Sequence, residues 1–424
     1  MQGAVPHCLF PLPRDISCGI ESLPIVVPVG PIHSGPGVRG PPLKFMILAL
    51  GAACFSTAMQ IRLTDPMVPL LAAELGRPVH QIVLLSAAFA MTYAAMPPFL
   101  GPLGDRFGKV VIIVVCLGIV VMASWVAALA PNYEILLAAR IIQGAAACAA
   151  FPLSLAFVGD NTSLEERSAA VARVFGISVT GGLIGMSGAG IIADLLGWRG
   201  VFAVAGLVPA AALVLLLVVF QGQIRQPVQR SGQGGLLKTY RMIWAARRAK
   251  LCYSATFLNG LLVLGLFPYV ALMLHDAGET RATVAGIVIA GVSVGGVTYS
   301  LSVPTLIRFL GLRWIMAVGG VVAGIGLILL GQGFPWQAQA AICFMMGYGF
   351  FMVHNSLQST ATEIAPFARG AAVALQTFAF FIGQAMGPLF YGAMIERMGT
   401  AIGLSIGAVL FALNSFACAR WLRR

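Results

Sequence analysis

Apolar runs of about 20 residues, each long enough to cross the roughly 30 Å hydrocarbon core of a bilayer, recur along almost the whole chain. They fall near 44–68, 79–101, 108–130, 134–157, 168–193 and 200–222, and after a polar gap near 251–274, 283–306, 313–331, 337–360, 369–394 and 400–421. A segment that crosses lipid must satisfy every backbone polar group internally, which leaves helices or a closed barrel. Barrel strands alternate polar and apolar residues and never reach a mean hydropathy of +0.93. Soluble domains carry about 25% charged residues, against 9% here. The expected fold is an all-α integral membrane protein with twelve transmembrane helices in two pseudo-symmetric six-helix bundles.

The chain divides accordingly. Residues 1–43 hold nine of the 24 prolines and read as a disordered Pro-rich tail. They lack the order of a secretory signal peptide, and Met46 is an alternative start. Residues 44–222 form the expected N-terminal bundle, 223–250 a basic cytoplasmic linker and 251–424 the C-terminal bundle. With both termini cytoplasmic, that side receives 20 of the 26 Lys and Arg, as the positive-inside rule requires of a plasma (cell inner) membrane protein. The net charge of +12 is then topology and not a nucleic-acid footprint. Six of the eight cysteines lie in apolar runs with no metal-ligand spacing, so they read as packing residues. No metal site is expected.

An internal repeat supports the two halves. At a constant offset of 202 residues, Pro66 meets Pro268, Glu74 meets Asp276, Gly76 meets Gly278 and Arg106-Phe107 meets Arg308-Phe309. Ala169-Ala170-Val171-Ala172 meets Ala371-Ala372-Val373-Ala374, Gly190 meets Gly392, and Asp194 meets Glu396. The repeat is parallel, as in transporters whose halves are related by an axis along the membrane normal.

Between the second and third runs stands Gly101-Pro-Leu-Gly-Asp-Arg-Phe-Gly-Lys-Val110, a polar knot in a charge-poor chain. Gly101, Leu103, Asp105, Arg106, Gly108 and Lys109 fit a G-x-L-x-D-R-x-G-K pattern. It resembles the loop between helices two and three of the major facilitator superfamily of secondary transporters. The resemblance implies that Asp105 clamps the cytoplasmic gate, supported by Arg106 and Lys109. In the second half Ile307 replaces the aspartate, so the two loops are not equivalent. Arg140-Ile-Ile-Gln143-Gly144 resembles the family's R-x-x-Q-G pattern of proton-driven antiporters, which implies a part for Arg140 in proton coupling. Drug antiporters of the family have Gly-Pro in span five. Here Met186 follows Gly185, and the pair Gly387-Pro388 stands in span eleven instead.

Other candidates rest on burial cost. Ionisable residues inside a span are expensive and tend to be functional. Asp65 is the carboxylate that reaches into a span, spaced i, i+3 from Arg62, so it is a proton-site candidate or half of a solvated rim pair. His354 titrates near neutral pH when unperturbed and reads as a proton carrier or a satisfied packing histidine. Tyr348, Asn355 and Gln358 share a face of span ten, and with Arg62 and Gln143 they are expected to line the substrate cavity. Gly181, Gly185, Gly383, Gly387 and Pro388 offer small-residue packing faces.

The resulting expectation is a monomeric secondary transporter that binds a hydrophobic or weakly polar small molecule and exports it in exchange for protons. The proton motive force supplies the energy, and no cofactor is required. Import of a sugar or small metabolite is the alternative, and a non-transporting sensor on the same fold a more distant one. The five histidines make no hydrolase or metal motif and no nucleotide loop is present; an enzyme is not expected.

Overall fold

The computed structural model describes residues 42–221, 236–365 and 369–422. Most of the expected N-terminal tail, residue 222 and residues 223–235 of the expected linker therefore lie outside the described residues. The first and seventh spans share one construction. Span one runs as a helix over Leu43–Ile61, breaks at Arg62, passes a 3-10 turn at Asp65–Met67 with Pro66 at its start, and resumes over Val68–Leu75. Span seven runs over Arg247–Leu262, turns through Leu264–Leu266 and resumes over Phe267–Asp276. Proline has no N–H for the ladder, and Pro66 and Pro268 sit at equivalent positions of the repeat.

The remaining spans follow the sequence pattern, and spans four, five, eight, ten and eleven extend past the apolar runs that mark them. Spans two, three and four cover Val79–Leu100, Lys109–Ala128 and Tyr133–Asn161. The helical stretch Leu164–Val219 is divided into spans five and six by Gly197 at φ 70°. Gly311 at φ 67° separates span eight, which opens at Ala282, from span nine. Trp336–Ile364, Arg369–Met398 and Thr400–Trp421 complete the set. Twelve crossings return the chain to its starting side. We call the end bearing Leu43 and Trp421 the terminal end and the opposite one the distal end. The loop motif is less of a turn than expected: Pro97–Phe107 is helical, and the reversal is confined to Gly108 at φ 101°, a backbone state that side chains disfavour. Residues 236–250, expected as linker, are helical over Leu236–Ala245 and again from Arg247.

The halves share their packing as well as their breaks. Lipid is as apolar as leucine, so helices in a bilayer associate through close contact and small residues. A Cβ on Gly181 or Gly185 would collide with the backbone of Phe55 or Met59 in span one. In the other half, Gly383 and Gly387 press in the same way on Phe257, Leu261 and Gly265 of span seven. Pro388 lies within the span-eleven helix, and its carbonyl accepts the Tyr269 hydroxyl at 3.0 Å. Spans five and eight, and spans two and eleven, form the seams between the halves.

A bulkier side chain at such a contact forces the helices apart, which costs typically about 1–3 kcal/mol. Gly181→Val is expected to lower the thermal unfolding midpoint of detergent-solubilised protein by several degrees. Gly182→Ala, where an added Cβ meets open space, is expected to leave it unchanged or raise it slightly.

Candidate functional site: a buried charge group and an aromatic row

The break in span one creates the first demand. The last carbonyls of a helix have no intrahelical donor, and Gln60 stands one residue before the end of the first segment. Its carbonyl accepts both Nη1 and Nη2 of Arg140 at 3.2 Å. Arg140 is fully buried and also donates from Nη1 to Gln143 Oε1 at 3.0 Å and from Nε to the Leu85 carbonyl at 3.4 Å. Its guanidinium lies 4.3 Å from the centre of the Phe89 ring, a contact that favours a desolvated cation. Pro209 in span six removes the donor that the Ala205 carbonyl would otherwise have, and the Gln60 side chain supplies Nε2 there at 2.7 Å. Gln143 donates to Ser124 Oγ at 2.9 Å. Five spans are thus stitched around one arginine.

The equivalent carbonyl in the other half is that of Leu262, 202 residues on. Ile342 replaces the arginine there, and the Tyr391 hydroxyl of span eleven donates to the Leu262 carbonyl at 2.5 Å. One orphan group is met by a charge in the first half and by a neutral donor in the second.

Asp65 belongs to a second group one turn away. It is fully buried, so the solvated rim pair is excluded. Its Oδ2 meets Arg62 Nη1 at 3.3 Å and its Oδ1 accepts from Ser86 Oγ at 2.6 Å. An ionised carboxylate only accepts, so the Ser86 hydroxyl donates to it and in turn accepts from Thr64 Oγ1 at 2.6 Å. Leu85 and Ser86 are consecutive, which joins the Arg140 and Asp65 groups through span two. Arg62 Nη1 donates at 2.9 Å to the carbonyl of Leu264, its own counterpart in the repeat. That contact places the pseudo-twofold axis between these two residues. Arg62 also lies 4.7 Å from the Phe267 ring centre.

Two expectations need correction here. Arg62 and Gln143 do not line an open cavity: the first is sealed into the contact between halves and the second into the core of the first half. Each is a neighbour of the kind that a buried charge requires.

The third group is a row of rings. Phe89 and Tyr93 of span two lie 6.0 Å apart, and Tyr93 meets Phe381 of span eleven at 4.4 Å. Phe381 touches Phe380 at 5.4 Å, and Phe380 touches His354 at 4.6 Å. His354 stacks on Phe350 at 5.4 Å, and its buried Nδ1 has no hydrogen-bond partner among the described residues. The row runs from beneath Arg140 across the seam to span ten. Asn355 and Gln358 flank it half-buried, whereas Tyr348 turns to span eight and bonds Ser302 Oγ at 2.7 Å. A groove of about 400 Å³ opens between spans one and five, lined by Ile47, Leu48, Ile177 and Thr180 with Lys44 and Arg173 on its walls.

At the terminal end, Lys109 forms an ion pair with Asp160, and Arg167 donates to the Gly159 carbonyl, which ties the motif to the end of span four. Leu103 and Arg106 are exposed, and Asp105 is half-buried. Gln60, Ser86, Phe380 and Phe381 were not singled out in the sequence. Gln60 carried a usable signal, as an amide inside an apolar run. The ring contacts carried none, because a phenylalanine in a span has lipid as its default neighbour.

Arg140→Ala leaves the Gln60 carbonyl and Gln143 Oε1 without their donor, at about 1–3 kcal/mol for each buried group. A marked loss of thermal stability is expected in detergent. Arg140→Lys, a point charge without the planar fork, is expected to recover only part of it.

Residues 48–388 match the family described as Major Facilitator Superfamily. The quinolone resistance protein NorA of Staphylococcus aureus (strain MSSA476) is 24% identical over 371 residues, which cover 85% of this chain and 93% of that protein. The multidrug export protein EmrB of Haemophilus influenzae is 30% identical over 167 residues, 39% of this chain and 33% of that protein. A solved bacterial homolog to the human lysosomal transporter Spinster, in an inward-facing and unoccupied conformation, has a TM-score of 0.67 at 18% identity. That match covers 89% of this chain and 98% of the other. Two six-helix halves, a broken first helix in each and a family match over most of the length lead to one assignment: the chain belongs to the major facilitator superfamily and is a multi-pass membrane transporter.

Proposed function

We propose that this transporter works by alternating access and exports a hydrophobic or weakly polar small molecule in exchange for protons. The observation that carries this reading is Asp65, a fully buried carboxylate held by Arg62 beside the axis on which the halves meet. A proton delivered to Asp65 removes the anion that neutralises Arg62. The arginine then keeps only neutral partners, among them the Leu264 carbonyl and the Phe267 ring, and a buried charge without its counter-ion is strongly destabilising. Protonation is thereby coupled to the contact that the halves must break.

The aromatic row suits the substrate class. Tyr93, Phe381, Phe380 and His354 offer flat polarizable faces, and cations and ring systems bind such faces. The names of the relatives, quinolone resistance and multidrug export, support the same class. The excess of Lys and Arg at the terminal end supports a cytoplasmic orientation for it. There the Gly101–Val110 motif, with Asp105, Arg106 and Lys109, serves as the inner gate. A second reading, import of a sugar or other small metabolite, draws on the buried amide of Asn259 and on Gln376 Nε2, which have no partner among the described residues.

Inverted membrane vesicles with a respiration-generated proton gradient and a pH-sensitive dye test the proposal. Hydrophobic cations and quinolones are expected to collapse the gradient with wild-type protein and not with Asp65→Asn or Asp105→Asn of equal abundance. Collapse that survives in Asp65→Asn removes that carboxylate from coupling. No response to any compound, together with sugar or metabolite uptake in whole cells, favours the second reading.

A further inference from the structure

The seam between spans five and eight carries a contact that the transport proposal does not use. Span eight begins at Ala282 with Arg281 as its N-cap. N-caps are normally Ser, Thr, Asp or Asn, whose side-chain oxygen accepts an orphan N–H of the first turn. Arginine has no acceptor, and Arg281 is engaged elsewhere: its Nε and Nη2 each lie 2.7 Å from a carboxylate oxygen of Glu279. That pairing holds the Glu279 carboxyl below the usual carboxylate range.

The missing acceptor comes from the other half of the molecule. Asp194, at the distal end of span five, accepts from the Ala282 N–H at 2.9 Å with Oδ1 and from the Thr283 N–H at 2.7 Å with Oδ2. A carboxylate also favours the positive end of a helix macrodipole. The seam beneath is drawn tight by glycine. A Cβ on Gly190 would strike the Ala282 carbonyl oxygen, and one on Gly286 would come within 2.8 Å of the Met186 carbonyl oxygen. The repeat makes the other seam the internal comparison. Glu396 is the counterpart of Asp194, yet it is exposed, and Gly392, the counterpart of Gly190, faces the Tyr269 hydroxyl of its own half.

We propose that Asp194 is the gate-latching residue of the distal end, an acceptor lent by one half to cap the first turn of span eight in the other. Its two bonds exist only while spans five and eight touch. Parting of the halves at this end returns both N–H groups and the carboxylate to water. The latch acts on one seam of two, so that seam governs distal closure. It rests on the family's rocking motion and not on the substrate or the coupled ion.

Hydrogen–deuterium exchange of the full chain in lipid nanodiscs tests it without a substrate. Asp194→Ala is expected to speed exchange about tenfold at residues 282–286, the scale of losing one helix cap. Faster exchange is also expected at 186–192 and 264–270, with slower exchange at the terminal-end segments 101–108 and 159–167 as the population shifts. Asp194→Asn keeps one acceptor and is expected to fall between Ala and wild type, which preserves the test if the Ala variant does not fold. Glu396→Ala is expected to match wild type. Change confined to 282–286, an Asn variant identical to wild type, or an equal response in Glu396→Ala overturns the latch.

Discussion

A carbonyl left without a donor inside a bilayer costs several kcal/mol, and the fold of this transporter is arranged around two of them. Breaking the first helix of each half exposes the carbonyls of Gln60 and Leu262, related by the repeat. The first is met by Arg140 and the second by the Tyr391 hydroxyl. Arg140 is a charge in lipid and needs its own company, so Gln143, Ser124, Phe89 and the Leu85 carbonyl gather on it. Much of the polar content of the first half follows from that one break.

The two halves are alike in path and unlike in chemistry. Spans one and seven break at matching prolines, and glycines at matching positions press spans five and eleven onto them. Yet among the described residues the buried charges Arg62, Asp65 and Arg140 all belong to the first half, whereas the rings Phe350, Phe380 and Phe381 and His354, whose Nδ1 has no partner there, belong to the second. The halves thus differ in content, with buried ionisable groups in one bundle and most of the aromatic row in the other. The two meet where Tyr93 touches Phe381 and where Arg62 reaches Leu264.

Individual side chains show how far a pattern reaches. Arg140 and Asp65 are conspicuous in the sequence because a charge in a span is rare, and both prove to be buried at the centre of hydrogen-bonded groups. Arg62 and Gln143 have the polarity of cavity residues, but their neighbours put them in sealed sites. Tyr348 shares a helical face with Asn355 and Gln358, and it turns to Ser302 because span eight packs against that part of span ten. Asp194 has no local signature at all: its partners lie 88 and 89 residues away.

The sequence by itself determined the solvent, the number of crossings, the repeat and the family, since each is written in hydropathy, spacing and local motif. Lipid tolerates only segments with satisfied backbones and the hydropathy rules out a barrel, so those signals leave little choice of architecture. Tertiary structure alone decided which carbonyl Arg140 serves, which ring lies against Tyr93 and which carboxylate caps span eight. Those are contacts between segments far apart in the chain, and helix periodicity fixes a residue's face without fixing what that face meets.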